Sequence, residues 1–155
     1  MAKTTLDDID CRILAELQRD GRITNVELAR RIGISAPPCL RRVRALEAAG
    51  FVRGYRAEVD TALLGFGVTV FALVGLHSQA EDDLRAFEKR VEAWPEVREC
   101  YMLNGDIDFI LKCVAPDLAK FQEFLTRRLT PAPNVAHVRT SLTIRQSKNL
   151  AGVPL

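Results

Sequence analysis

Three arginines, Arg41, Arg42 and Arg44, crowd one short stretch of this chain, directly behind Ser35-Ala36-Pro37-Pro38. A guanidinium stays charged at any ordinary pH. It presents a planar fork of donors that suits phosphate oxygens and the O6/N7 edge of guanine. The residues around the arginines predict a helix. Ser35 stands as its N-cap, and Pro37 and Pro38 fall in the first turn, where a missing N–H costs little. Leu40, Val43 and Leu46 form its apolar stripe, and Gly50 ends it. Just upstream, Thr24 and Glu27 have capping-box spacing, Leu28 and Ile32 form an i,i+4 apolar pair, and Gly33 supplies a turn. Two short helices joined by a tight turn, the second one basic, make a helix–turn–helix whose second helix suits the major groove. The candidate DNA contacts are Asn25, Ser35, Ala36 and Pro37 at the helix starts, with Arg41, Arg42 and Arg44 behind them. The competing reading is an ordinary helical hairpin with a solvated basic face.

Other chemistry finds few residues to work with. Cys11, Cys39, Cys100 and Cys113 show no CxxC spacing and no nearby histidine, so reduced, partly buried thiols are expected and a metal site is not. His77 and His137 lie in strand-like stretches without a recognisable catalytic partner, and no cofactor motif stands out. No apolar run reaches the roughly 18 residues of a membrane span. The opening residues carry no export-type apolar core, so the expected compartment is the cytoplasm, with the protein on the nucleoid. In 155 residues the net charge is only +2, yet it is unevenly placed. Residues 1–57 hold 11 Lys/Arg against 7 Asp/Glu, whereas residues 58–155 hold 11 against 13. A basic head that meets nucleic acid and a body that does not would account for this asymmetry.

The elements that must position the arginines follow from periodicity. Residues 6–20 read as a first helix, with Ile9, Ile13, Leu14 and Leu17 facing inward and Asp7, Asp8 and Asp10 at the favourable end of its dipole. Phe51-Val52 and residues 55–59 flank Arg53-Gly54 as a short β-hairpin, a wing that adds Arg53 and Arg56 to the candidate DNA contacts. Residues 1–60 thus form a winged helix–turn–helix. A hinge at about 60–67 follows, whose Leu63, Leu64 and Phe66 call for burial. Residues 61–155 form a second domain. There, strands at 68–77, 97–103, 109–114 and around 138–145 alternate with helices at 80–94 and 117–129, and Asn104-Gly105 signals a tight hairpin turn. The expected fold class is α+β, the second domain being a ferredoxin-like βαββαβ sheet with both helices on one face. Its first strand is apolar on both faces through Phe71 and Leu73. The face left uncovered by helices therefore calls for a symmetric second copy.

With head, hinge and body in place, nearly the whole chain resembles the Lrp/AsnC (feast/famine) family of transcription regulators. The resemblance is carried most specifically by LDDIDCRILAELQRDGRITNVELARRIGISAPPCLRRVRALEAAGFVRGY at residues 6–55 and by GDIDF at 105–109. It implies a DNA-binding regulator that pairs a winged helix–turn–helix with an amino-acid-sensing domain. It further implies homodimers formed through that domain, commonly assembled into octamers around which double-stranded DNA wraps. Carried over by position, the effector pocket comprises Met102, Leu103, Asn104, Gly105, Asp106 and Asp108, with Thr140 and Ser141 from the last strand. An α-amino acid needs an acceptor for its ammonium and N–H or hydroxyl donors for its carboxylate, and such a loop holds both. For the same residues a plain hairpin turn remains the alternative. The last segment departs from the family pattern, with Arg145-Gln146 where acidic residues often stand. Two rival functions share the fold: a DNA-wrapping architectural protein that answers to no ligand, and a tetrapyrrole decarboxylase akin to the sirohaem decarboxylases.

Overall fold

The structure, a computed structural model, describes residues 5–150 and 152–155. The first four residues, part of the stretch that bears on export, lie outside the described residues. The chain divides into two compact units, Met1–Glu58 with Lys148–Leu155, and Val59–Ser147. The last eight residues thus group with the head, whereas the sequence alone places them in the body.

In the head, α1 (Asp8–Arg19), α2 (Asn25–Ile32) and α3 (Ala36–Ala48) share one core of Ile13, Leu14, Leu28, Ala29, Ile32, Cys39 and Leu46. The reciprocal capping box belongs to α1: Asp7 accepts from the Asp10 N–H, and Asp10 accepts from the Asp7 N–H. At α2 only half of the expected box forms. Thr24 Oγ1 accepts from the Glu27 N–H at 3.2 Å, but the Glu27 carboxylate turns away to Arg30 and Arg31, at 2.7–2.8 Å. Two charged guanidinium donors hold it more strongly than one backbone N–H could. Gly33 takes the left-handed conformation, φ 81°, that the turn into α3 requires. At the far end, the N–H groups of Gly50 and Phe51 reach back to the carbonyls of Glu47 and Leu46, so Gly50 closes α3 as a Schellman motif.

Two expectations for the head are corrected. The inward stripe of α3 is Cys39, Val43 and Leu46, at i, i+4 and i+7, which leaves Leu40 on the surface. The wing forms no strand pair: Phe51 is a bend, and residues 52–59 have no regular secondary structure. The Val52 N–H already turns to the Leu46 carbonyl, and Arg53 lacks the positive φ that a two-residue hairpin turn demands.

The body is a four-stranded antiparallel sheet in the order β2-β3-β1-β4, the ferredoxin-like arrangement. Its elements are β1 (Val68–Leu76), α4 (Glu81–Glu92), β2 (Val97–Met102), β3 (Phe109–Ala115), α5 (Leu118–Phe124) with a π-helical turn Leu125–Leu129, and β4 (Val135–Leu142). Val70, Ala72 and Val74 of β1 and Phe109, Leu111 and Cys113 of β3 pack beneath Phe87, Val91, Trp94, Phe121 and Phe124. Phe87 bridges the layers, its ring 4.8 Å from Phe109 and 6.2 Å from Trp94. Asn134, in left-handed conformation, clamps the end of β1 through reciprocal bonds with Ser78. The opposite face carries Phe71, Leu73, Ile110 and Val114, all half-buried, and no helix among the described residues packs over it. The hinge residues Leu63, Leu64 and Phe66, expected to be buried, are exposed, and so are Leu142, the last residue of β4, and Ile144 beyond it.

The ion pairs of the head define an acid response. Hydrogen bonds from Arg30 and then Arg31 hold the Glu27 carboxyl down to about 2, from an ordinary 4.5. Glu16, through Arg31, and Asp7, through the Asp10 N–H, are lowered as well. A carboxylate depressed in the folded state adds stability above its unfolded pKa and loses it as pH falls toward its folded one. The head should therefore be steady at neutral pH and weaken between about 4.5 and about 2. Melting followed at α2 amide signals should show this decline, and Glu27→Gln should flatten it.

Candidate nucleic-acid interface and ligand loop

An N-cap oxygen normally captures the N–H of the second or third helical residue. In α3 those residues are Pro37 and Pro38, which have no N–H, so Ser35 makes no side-chain cap bond and its hydroxyl stays free on the surface. The spacing read as a cap therefore marks a helix start without closing it. Asn25 acts differently. Its Nδ2 donates to the Ala36 carbonyl at 2.8 Å, pinning the start of α3 to α2, while its Oδ1 is buried without a partner. Ser35 and Pro37 thus face outward, whereas Asn25 and the half-buried Ala36 join the two helices.

The arginines also separate. Arg41 and Arg44 are exposed and lie within ion-pair distance of no carboxylate among the described residues, and the same holds for Arg53 and Arg56 on the wing segment. Arg42 turns toward α1, where one guanidinium nitrogen donates to Asp7 at 2.8 Å and Asp10 at 2.7 Å. From sequence alone, the acidic run of α1 serves the helix dipole. Its larger role is to hold α3 through Arg42, and the one available signal was charge complementarity between the two helices. Arg41, Arg44, Arg53 and Arg56, all unneutralised among the described residues, and the exposed Ser35 hydroxyl are groups that can meet a polyanion.

In the body, the expected tight turn is a six-residue connection, 103–108, closed by the Leu103 N–H donating to the Asp108 carbonyl at 2.8 Å. Gly105 has φ 139°, a conformation costly to any residue with a Cβ. Asn104, Gly105 and Asp106 form an exposed tip beside Met102 and Leu103, which are exposed too. Asp108 is the one buried polar side chain among the described residues. Its carboxylate accepts the Leu76 N–H at 2.6 Å, and its own N–H donates to the Val74 carbonyl. It fastens the loop to the end of β1, leaving Asp106 as the carboxylate that faces outward. Thr140 and Ser141 are not brought to this loop within one chain. They lie on β4, at the sheet edge opposite β2, and they point to opposite faces, Thr140 beside Ala72 and Ser141 beside Phe71.

No group of three or more His, Cys, Asp or Glu that could hold a metal occurs among the described residues, and no helix there is long and apolar enough to cross a membrane. All four cysteines are free; Cys39 and Cys113 are buried, and burial pushes the Cys113 thiol up to about 12, whereas Cys100, expected to be partly buried, is exposed. His137 lies against Gly75 on the open sheet face, where a Cβ would strike its ring.

Comparison with known proteins decides the affiliation. Residues 69–153 match the family model of the Lrp/AsnC ligand binding domain, and residues 6–53 match a winged helix-turn-helix DNA-binding model. This chain belongs to the Lrp/AsnC family. It is 54% identical over 155 residues to a leucine-responsive regulatory protein of Rhizobium meliloti, covering 100% of this chain and 99% of that one. It is 41% identical over 143 residues to the Escherichia coli protein of the same description, covering 92% of this chain and 87% of that one. Among solved structures, a Neisseria meningitidis transcriptional regulator in complex with L-Met superposes with a TM-score of 0.92 at 36% identity, covering 97% of each chain. An AsnC family regulator from Agrobacterium tumefaciens gives 0.90 at 32%, covering 96% of this chain and 97% of that one. As a family member, the chain is a transcriptional regulator of the Lrp type, with a DNA-binding head and a ligand-binding body.

The split among the arginines can be measured. Arg41→Ala and Arg44→Ala should each weaken DNA binding, flatten its salt dependence by about one unit for each phosphate left without its cation, and change stability by no more than about 0.5 kcal/mol. Arg42→Ala should instead lower the melting temperature of the head, because it leaves Asp7 and Asp10 side by side without their shared cation. Electrophoretic titrations at several salt concentrations, with thermal melts of the same samples, check both.

Proposed function

We propose that this chain is a sequence-specific DNA-binding regulator whose DNA affinity or assembly is modulated by an amino acid bound at the loop 102–108. The observation that carries the reading is the exposed tip Asn104-Gly105-Asp106 beside Met102 and Leu103. It offers a carboxylate for an ammonium group and backbone N–H groups for a carboxylate, next to an apolar wall. The similar Neisseria regulator was solved with L-Met, which supports an amino acid as the ligand class. Because Thr140 and Ser141 lie away from the loop in one chain, they enter the pocket from a neighbouring copy, so that ligand binding and assembly are linked. The open face of the sheet serves as the homodimer interface, and dimers assemble further toward octamers. In the head, Ser35, Pro37, Arg41 and Arg44 meet double-stranded DNA, Arg53 and Arg56 follow its backbone, and Asn25, Ala36 and Arg42 hold the helices in place. The protein acts in the cytoplasm, on chromosomal DNA.

Calorimetry with each of the twenty amino acids, with and without the DNA upstream of its own coding sequence, tests this. At least one should bind, and its affinity should differ between free and DNA-bound protein by roughly 5–150-fold, the range of a 1–3 kcal/mol coupling. Asp106→Ala should reduce that binding and leave ligand-free DNA affinity unchanged. If no amino acid binds, the architectural reading takes over. A ligand indifferent to Asp106→Ala would move the site elsewhere.

A further inference from the structure

The segment Lys148–Leu155 leaves the body and seats on the head. Its hold is specific. Gln18 of α1 accepts from the Val153 N–H at 2.7 Å and donates to the Val153 carbonyl at 3.1 Å, so a single residue's backbone satisfies both ends of one side-chain amide. Asn149 Nδ2 donates to Glu58 at 2.6 Å, at the far end of the wing segment. Gly152 makes the approach possible: its φ is 75°, and a Cβ there would overlap the Gln18 amide. Between these ties lies a cleft of about 730 Å³ walled by Leu14 and Leu17 of α1, Phe51 and Tyr55 of the wing segment, and Val153 and Leu155.

The wing segment needs such support. It has no strand ladder of its own: Val52 packs against the head core, and beyond it the segment is held by the Tyr55 hydroxyl, which donates to Glu47 at 2.9 Å, and by the Tyr55 ring against Gly21. Arg53 and Arg56, two of the four unneutralised cations of the DNA-facing surface, sit on this segment and line the same cleft. Only residues 143–147 separate Leu142, the end of β4, from the seated segment. Five residues of extended chain span at most about 16–18 Å, so the seated segment is tied to the last strand of the ligand-binding sheet by a short tether.

We propose that Lys148–Leu155 is a strap, seated on the head of its own chain, that orders the wing segment 51–58 against α1 and thereby sets DNA affinity. Gln18 is its positioning residue and makes no contact with DNA. Because the strap continues from β4, it gives the ligand-binding unit a covalent handle on the wing, separate from the hinge.

Two variants of the full chain test this by different routes. Gly152→Val puts a side chain where Gln18 stands, and Gln18→Glu keeps the acceptor for the Val153 N–H but meets the Val153 carbonyl with a carboxylate. Amide hydrogen exchange should show Val153 and residues 51–58 losing protection in both variants while α1, α2 and α3 keep theirs. Affinity for a 150-base-pair duplex from upstream of its own coding sequence should fall about tenfold, the size of one or two hydrogen bonds lost. The exchange readout stands whether or not that duplex is the true target. Unchanged protection of residues 51–58, or unchanged affinity despite lost protection, overturns the proposal. A cross-chain nuclear Overhauser contact between Gln18 and Val153, in a mixture of chains carrying different isotopes, would also overturn it by showing that a second copy supplies the segment.

Discussion

The body depends on a central strand that is apolar on both sides. Along β1, Val70, Ala72 and Val74 lie beneath the helices, while Phe71 and Leu73 project from the other face beside Ile110 of β3. An antiparallel sheet at rest in water has one greasy face and one wet one. Here the second face is only half wet: Lys112, bonded to Glu99 at 2.8 Å, and Ser141 stand directly beside Phe71. The chain leaves further apolar groups bare, with Leu63 at 86% and Ile144 at 97% of full exposure. At about 25 cal/mol for each Å² of apolar surface, such an arrangement gains substantially from a second cover. The proposed homodimer supplies that cover, and the mixed polar and apolar character of the face suits an interface more than a sealed core.

The head is governed by a shortage of partners at one point and a surplus at another. Two prolines remove the donors that would have occupied Ser35, and Asn25 anchors α3 in their place. On α2, by contrast, Glu27 gathers two arginines and Glu16 shares one of them, so Arg30 and Arg31 are neutralised in place. The net result is a set of cations sorted by role. Those on α2 and Arg42 stabilise the head, and those on the outer face of α3 and the wing segment remain free. Charge counted along the chain could show that the head is basic, but which arginines are free is decided by three-dimensional neighbours.

What was legible in the sequence was periodic. The element order, the sheet face beneath the helices and the helix–turn–helix follow from apolar spacing and from Thr24, Gly33 and Gly50. What was not legible were choices between competing local partners. Thr24 and Glu27 have the spacing of a capping box, yet Glu27 prefers guanidinium. Phe51, Val52, Arg53 and Gly54 look like the start of a hairpin, yet the Schellman closure of α3 claims the first two residues. Asn104-Gly105 looks like a two-residue turn, yet the Asp108 carboxylate finds the Leu76 N–H and lengthens the loop to six residues. Asp106 and Asp108 are indistinguishable in composition and opposite in exposure. Thr140 and Ser141 are neighbours in sequence, but the pleat sends them to opposite faces. The seat of residues 148–155 had no periodic signal at all, since it rests on one glycine and two amide side chains.

In the proposed homodimer a second copy completes the sheet, and the mass of the protein in solution tests this directly. Sedimentation velocity of the full chain at micromolar concentration should give at least twice the 17.3 kDa of one chain. Phe71→Glu, which places a charge at the centre of the open face, should shift the population toward single chains without melting the helices. A wild-type protein that sediments as a 17.3 kDa monomer at those concentrations would contradict the account.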